Sequence, residues 1–96
     1  MARLTFCSAA ERDFTESLCW YAERSLAAAE SFDSAVQEAV SAIVADPERF
    51  PLCDARHRYY LLKRFPFRII YRLVRHEIVI IAIAHAARSP DFWHNR

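Results

Sequence analysis

Between Phe65 and His85 the chain reads FPFRIIYRLVRHEIVIIAIAH, and the alternation within it leaves few folds open. Side chains of a strand point to opposite faces with period two. Phe67, Ile69, Tyr71 and Leu73 therefore share one face, and Arg68, Ile70 and Arg72 share the other. The first face demands a core; the second presents guanidinium groups at fixed spacing. With Arg75-His76 as the turn, Leu73 opposes Ile78, Arg72 opposes Val79 and Arg68 opposes Ile83. Directly opposed residues lie on one face. A tight turn at Phe65-Pro66 likewise sets Lys63 opposite Arg68 and Tyr59 opposite Arg72. The predicted outer face gathers Tyr59, Lys63, Arg68, Arg72 and His85 over a floor of Ile70, Val79, Ile81 and Ile83. Large apolar patches left in water mark interaction sites, so either the tail or a partner covers this floor.

The segments before the hairpin supply the rest of one core. Residues 2–7 alternate as a short strand, with Leu4 and Phe6 on one face. Ser8, with Glu11 three residues on, is a capping-box pattern that opens a helix over Ala9–Arg24. Its apolar stripe is Phe14, Leu18 and Tyr21, while Glu11, Asp13, Glu16 and Glu23 are placed on the wet side. A second helix is predicted over Ala27–Ala45, with Phe32, Val36, Ala39 and Ile43 inward; one bent helix is the alternative. Asp46-Pro47 ends it, because the residue before proline is driven out of the α region. Strands are predicted at Arg58–Arg64, Phe67–Val74 and Glu77–His85, and Ser89-Pro90 opens a short terminal turn that frees Phe92 and Trp93 to fold over a sheet edge or to protrude. The expected fold is α+β, β-α-α-β-β-β, with a helical hairpin packed on one face of a small, mostly antiparallel sheet. Residues 1–96 are expected to form a single domain.

The net charge of +1 conceals a polarity: residues 1–48 hold nine acids and three arginines, residues 49–96 ten cations and three acids. Of the thirteen cations all but Lys63 are arginine, whose planar fork suits phosphate, carboxylate and stacking contacts. The expectation is either solvated acidic helices beside a basic sheet, or a basic surface for nucleic acid or an acidic protein. Without glycine, tight turns are expected to use Asn, Asp, His or Pro. Cys7, Cys19 and Cys53 are odd in number, lack C-x-x-C spacing and read as small buried thiols in a reducing cytoplasm. Neither a metal nor a cofactor is expected. The apolar run from Ile78 to Ala84 is far short of the ~20 residues that span a bilayer, so no membrane partner is expected.

The helical pair, the segment RFPFRIIYRL and the closing IAIAHAARSPDFW together resemble the RelE/ParE superfamily of bacterial type II toxins, often labelled plasmid stabilisation proteins. The resemblance spans the chain and implies a growth-arresting toxin held inactive by a cognate antitoxin. RelE-like members cut messenger RNA on the ribosome without a metal; ParE-like members poison DNA gyrase.

Residue by residue, the resemblance divides. Arg68 falls where RelE-like toxins hold an arginine on the scissile phosphate, and Lys63 near their basic strand positions. Ala86 stands where those toxins carry a second catalytic arginine, and Phe92 where they carry a tail tyrosine. The AHAAR ending resembles ParE-like chains, which favours the gyrase reading. A nuclease would use Lys63 and Arg68 on the phosphate, His85 as acid or base and Arg88 against developing charge. A binding toxin or an antitoxin interface would instead draw on Arg72, Ile81, Phe92, Trp93 and Arg96, arginine and tryptophan being frequent hot-spot residues.

Overall fold

A computed structural model describes residues 3–96, and for Pro90 and Asp91 the backbone alone. Ala2, expected within the first strand, lies outside the described residues. The elements are β1 (Arg3–Phe6), α1 (Ser8–Arg24), α2 (Leu26–Ala45), β2 (His57–Leu61), β3 (Phe67–Val74), β4 (Glu77–His85) and a closing 3-10 turn at Pro90–Trp93. The sheet order is β1-β4-β3-β2, with β1 parallel to β4 and the other neighbours antiparallel. Both helices lie on one face, as the apolar stripes require. No helix among the described residues is long and apolar enough to cross a membrane.

The helix break is a real corner. Ser25 is extended at φ −166° and its hydroxyl accepts from the Ala28 N–H at 3.1 Å, which starts α2 afresh and excludes one bent helix. The start of α1 differs from the capping-box expectation: Cys7 is the N-cap, and Ser8 is already helical. Phe32 sits at the centre of the core, with the rings of Phe14, Tyr21, Phe65 and Phe67 at 5.1–6.0 Å. Ile69, Tyr71, Ile78 and Ile80 complete it from the sheet. Burial pushes the Tyr71 hydroxyl up to about 12, and it donates to the Pro47 carbonyl at 2.7 Å.

Three expectations are corrected. The first concerns β2, which ends at Leu61 rather than Arg64. Arg64 turns left-handed at φ 70°, so Lys63 and Arg64 lie in a loop, and Leu61 rather than Lys63 opposes Arg68. The second concerns turn chemistry: arginines fill the left-handed positions, Arg64 here and Arg75 at φ 59° in the β3–β4 turn. An L-residue held left-handed costs roughly 1–2 kcal/mol.

The third concerns β4. Arg72 does oppose Val79 and Leu73 does oppose Ile78, but a bulge between Ile70 and Tyr71 then inserts Ile81. Beyond it Arg68 opposes Ala84 and Phe67 opposes His85. One extra residue sends the remaining side chains to the other face. Ile83 joins the helix-side core, and His85 leaves the arginine face altogether. The cysteines also differ: Cys7 is half-buried and Cys19 and Cys53 are exposed.

Candidate functional site

The floor of the outer face is covered by the tail. Ile70, Ile81, Ala82 and Ala84 form a second small core, which Trp93 closes at 4% exposure with Phe92, Tyr59 and Val79 around it. Ile81, at 1%, is therefore unavailable to a partner while the tail is seated. This decides between the two ways of covering the floor.

An ion pair between buried Asp13 and partly buried Arg96 holds the tail down. Arg96 donates to both oxygens of Asp13, at 2.6 and 3.2 Å, and to the Ile81 carbonyl at 3.1 Å. That carbonyl belongs to the bulge and also accepts from the Cys7 thiol at 3.3 Å. Asp13 accepts in addition from the Ile83 N–H at 3.0 Å, on the part of β4 that runs past β1. The position expected to be wet is thus buried, and it satisfies a strand edge and the tail together. The Asp13 bond raises the Arg96 guanidinium above its ordinary value. The Phe92 ring lies between Arg88, 4.1 Å from its centroid, and Arg96 at 5.0 Å.

A second polar group was not anticipated. The His57 ring is buried on the outer face, with Nδ1 at 2.9 Å from each oxygen of Asp54 and its centroid 5.1 Å from that of the Trp93 ring, the two at 64°. Nδ1 is the natural donor to that carboxylate, and the ring's other polar atom is Nε2. It is buried without a partner among the described residues, as is the neighbouring Arg72 Nε–H. The signal lay in D-A-R-H: a loop aspartate bonds backbone N–H groups two and three residues on, here Arg56 at 2.8 Å and His57 at 2.7 Å. Burial alone would raise the Asp54 carboxyl, but the bonds from the Arg56 N–H, the His57 ring and the His57 N–H outweigh it and bring it from 3.8 to about 2. A carboxyl lowered on folding contributes stability above its unfolded value and loses it as pH falls through the folded one. Asp54→Asn should therefore be less stable than the parent above 3.8, and the gap should close as pH falls towards about 2. Urea titrations across that range that show a constant gap would refute the assignment.

The four residues of the nuclease scheme do not meet at one point: His85 and Arg88 line one cleft, and Arg68 and Lys63 lie elsewhere. Arg68 is half-buried on the outer face, 5.5 Å from the Tyr59 ring centroid. Lys63 projects on the helix side, 3.5 Å from Glu38. His85 lies on the helix face against the Phe67 ring at 5.2 Å, its Nδ1 accepting from the Ala87 N–H at 3.0 Å. Arg88 is stacked on Phe92 and shares a cleft with His85, Glu16, Trp20 and Tyr21. On the face of Arg68 the described imidazole is His57, held by Asp54 and covered by Trp93. No group of three His, Cys, Asp or Glu side chains among the described residues is arranged to hold a metal. The outer face of the sheet is thus sealed by the tail, with His57 and Arg72 beneath it.

This fold of two helices on a mixed four-stranded sheet is that of small type II toxins, and sequence and structure comparisons agree. The profile described as "ParE toxin of type II toxin-antitoxin system, parDE" matches residues 4–90, so the chain belongs to the ParE toxin family. Among solved structures, "Chromosomal ParDE TA system from P. aeruginosa" superposes with a TM-score of 0.65 at 24% identity, over 88% of this chain and 96% of that one. That likeness is one of fold. No curated protein matches by sequence.

Proposed function

We propose that this protein acts as a toxin on DNA gyrase by binding, without cutting nucleic acid, and that a cognate antitoxin neutralises it. The observation that carries this is the dispersal of the nuclease set: His85 and Lys63 lie on the helix side of the sheet, and Arg68 on the other. In-line attack by a ribose hydroxyl needs base, acid and cation around one phosphate. Family membership supports the toxin role, and the ParE-like ending of β4 supports the target.

For the antitoxin, the outer edge of β1 is the favoured seat. The N–H groups of Arg3 and Cys7 donate towards β4, so by alternation those of Leu4 and Phe6 face outward. Beside that edge lies a cleft lined by Phe6, Phe14 and Val36, suited to the apolar side chains of an added strand. The test is a supercoiling assay with purified gyrase beside a cleavage assay on programmed ribosomes. Inhibited supercoiling, unaffected by Arg68→Ala, is expected, with intact message. Codon-phased cleavage abolished by Arg68→Ala, or unimpaired supercoiling at saturating protein, would overturn the reading.

A further inference from the structure

The basic end of the sheet holds a notch used by neither the tail nor the β1 edge. Pairing of β2 with β3 stops at His57–Arg72, while β3 continues through Leu73 to Val74. The Leu62 N–H donates to the Phe67 carbonyl at 2.9 Å, which fixes the parity of the β3 edge. On that parity the main-chain groups of Leu73 face the β2 side, one pair beyond His57, the first residue of β2. Around them is a cleft of about 530 Å³ walled by Leu52, Arg56, Arg58, Arg72 and Val74.

Charge and apolar surface are both unbalanced here. Three arginines, Arg56, Arg58 and Arg72, line the cleft, and no carboxylate among the described residues does. Arg58 donates to the carbonyls of Glu48 and Phe50, at 3.0 and 2.7 Å, which leaves its charge uncompensated. The Arg72 Nε–H is buried without a partner among the described residues. Like charges around one cleft repel, and an arriving carboxylate would relieve them. Leu52 is 55% exposed and Val74 44%.

We propose that this notch docks an extended acidic segment of a partner protein, with carboxylates alternating with aliphatic side chains. Its backbone extends the sheet at Leu73, its carboxylates on the outer face meet the Arg72 fork with Arg56 beside it, and its aliphatic groups on the helix face cover Leu52. Single-stranded nucleic acid would share the charge term only. Its bases need aromatic platforms, and none lines the cleft. The proposal does not depend on gyrase being the target.

The experiment uses the whole chain and a short dye-labelled peptide alternating Glu and Val, with amide shifts recorded alongside anisotropy. Binding that moves the Leu73 and Val74 amides is expected, weakened about tenfold, or roughly 1.4 kcal/mol, by Arg56→Gln. Arg56 is exposed and outside every core cluster, so this variant should fold; an unchanged far-UV spectrum checks it. Arg72→Gln should weaken binding at least as much. No binding by about 1 mM peptide, shifts confined to other surfaces, or affinity indifferent to both substitutions would overturn the proposal. So would an oligothymidylate of equal charge that binds as tightly and moves the same amides.

Discussion

Trp93→Ala should lower the unfolding free energy by about 3–5 kcal/mol, the usual cost of truncating a buried aromatic. Trp93 closes a core of only a few side chains, so little around it can collapse into the space. With it gone, Ile70, Ile81, Ala82 and Ala84 face water together, and the His57 ring loses its neighbour. The variant should bind a hydrophobic dye and be cut by protease within residues 86–96 before the rest of the chain. Urea unfolding that shows less than about 1 kcal/mol of loss would mean that the tail merely rests on the sheet.

The second large effect belongs to Asp13. Removing one partner of a buried ion pair typically costs about 3–5 kcal/mol, because the other is left uncompensated. Asp13→Ala strands both the Arg96 guanidinium and the Ile83 N–H. Arg96→Met should cost less, since Asp13 keeps the Ile83 bond and Arg96 reaches solvent over part of its surface. A double-mutant cycle should return a coupling above about 1 kcal/mol, and additivity within about 0.5 kcal/mol would show that the two residues do not act together. This measurement separates the latch from the Trp93 seat, because Met at position 96 leaves the indole in place.

The sequence showed the fold where its patterns were strong. β3 and β4 fall on the expected residues because an alternating run with a two-residue turn admits one register near the turn. The expectation failed at Ile81, where nothing in a string of isoleucines and alanines marks a bulge. Parity then carried Ile83 and His85 to the wrong face, and with them the proposed cluster. Asp13 was misplaced for a different reason. Helical periodicity sets a residue's angle about the axis, but a buried partner eighty-three residues away is invisible to it. Tyr59, Arg68 and Arg72 kept their common face because β2 and β3 pair without interruption.

The same long span has a consequence for how the molecule comes apart. Closing a loop of this length costs chain entropy that grows only with the logarithm of its length, so a few strong bonds suffice to hold it shut. Once shut, the last residue is fastened to the first helix and to the middle of β4, elements that themselves form the main core. Terminal segments ordinarily fray independently of the domain they end. Here the tail is bonded to α1 and β4, so its amides are expected to exchange together with those of α1 and not ahead of them.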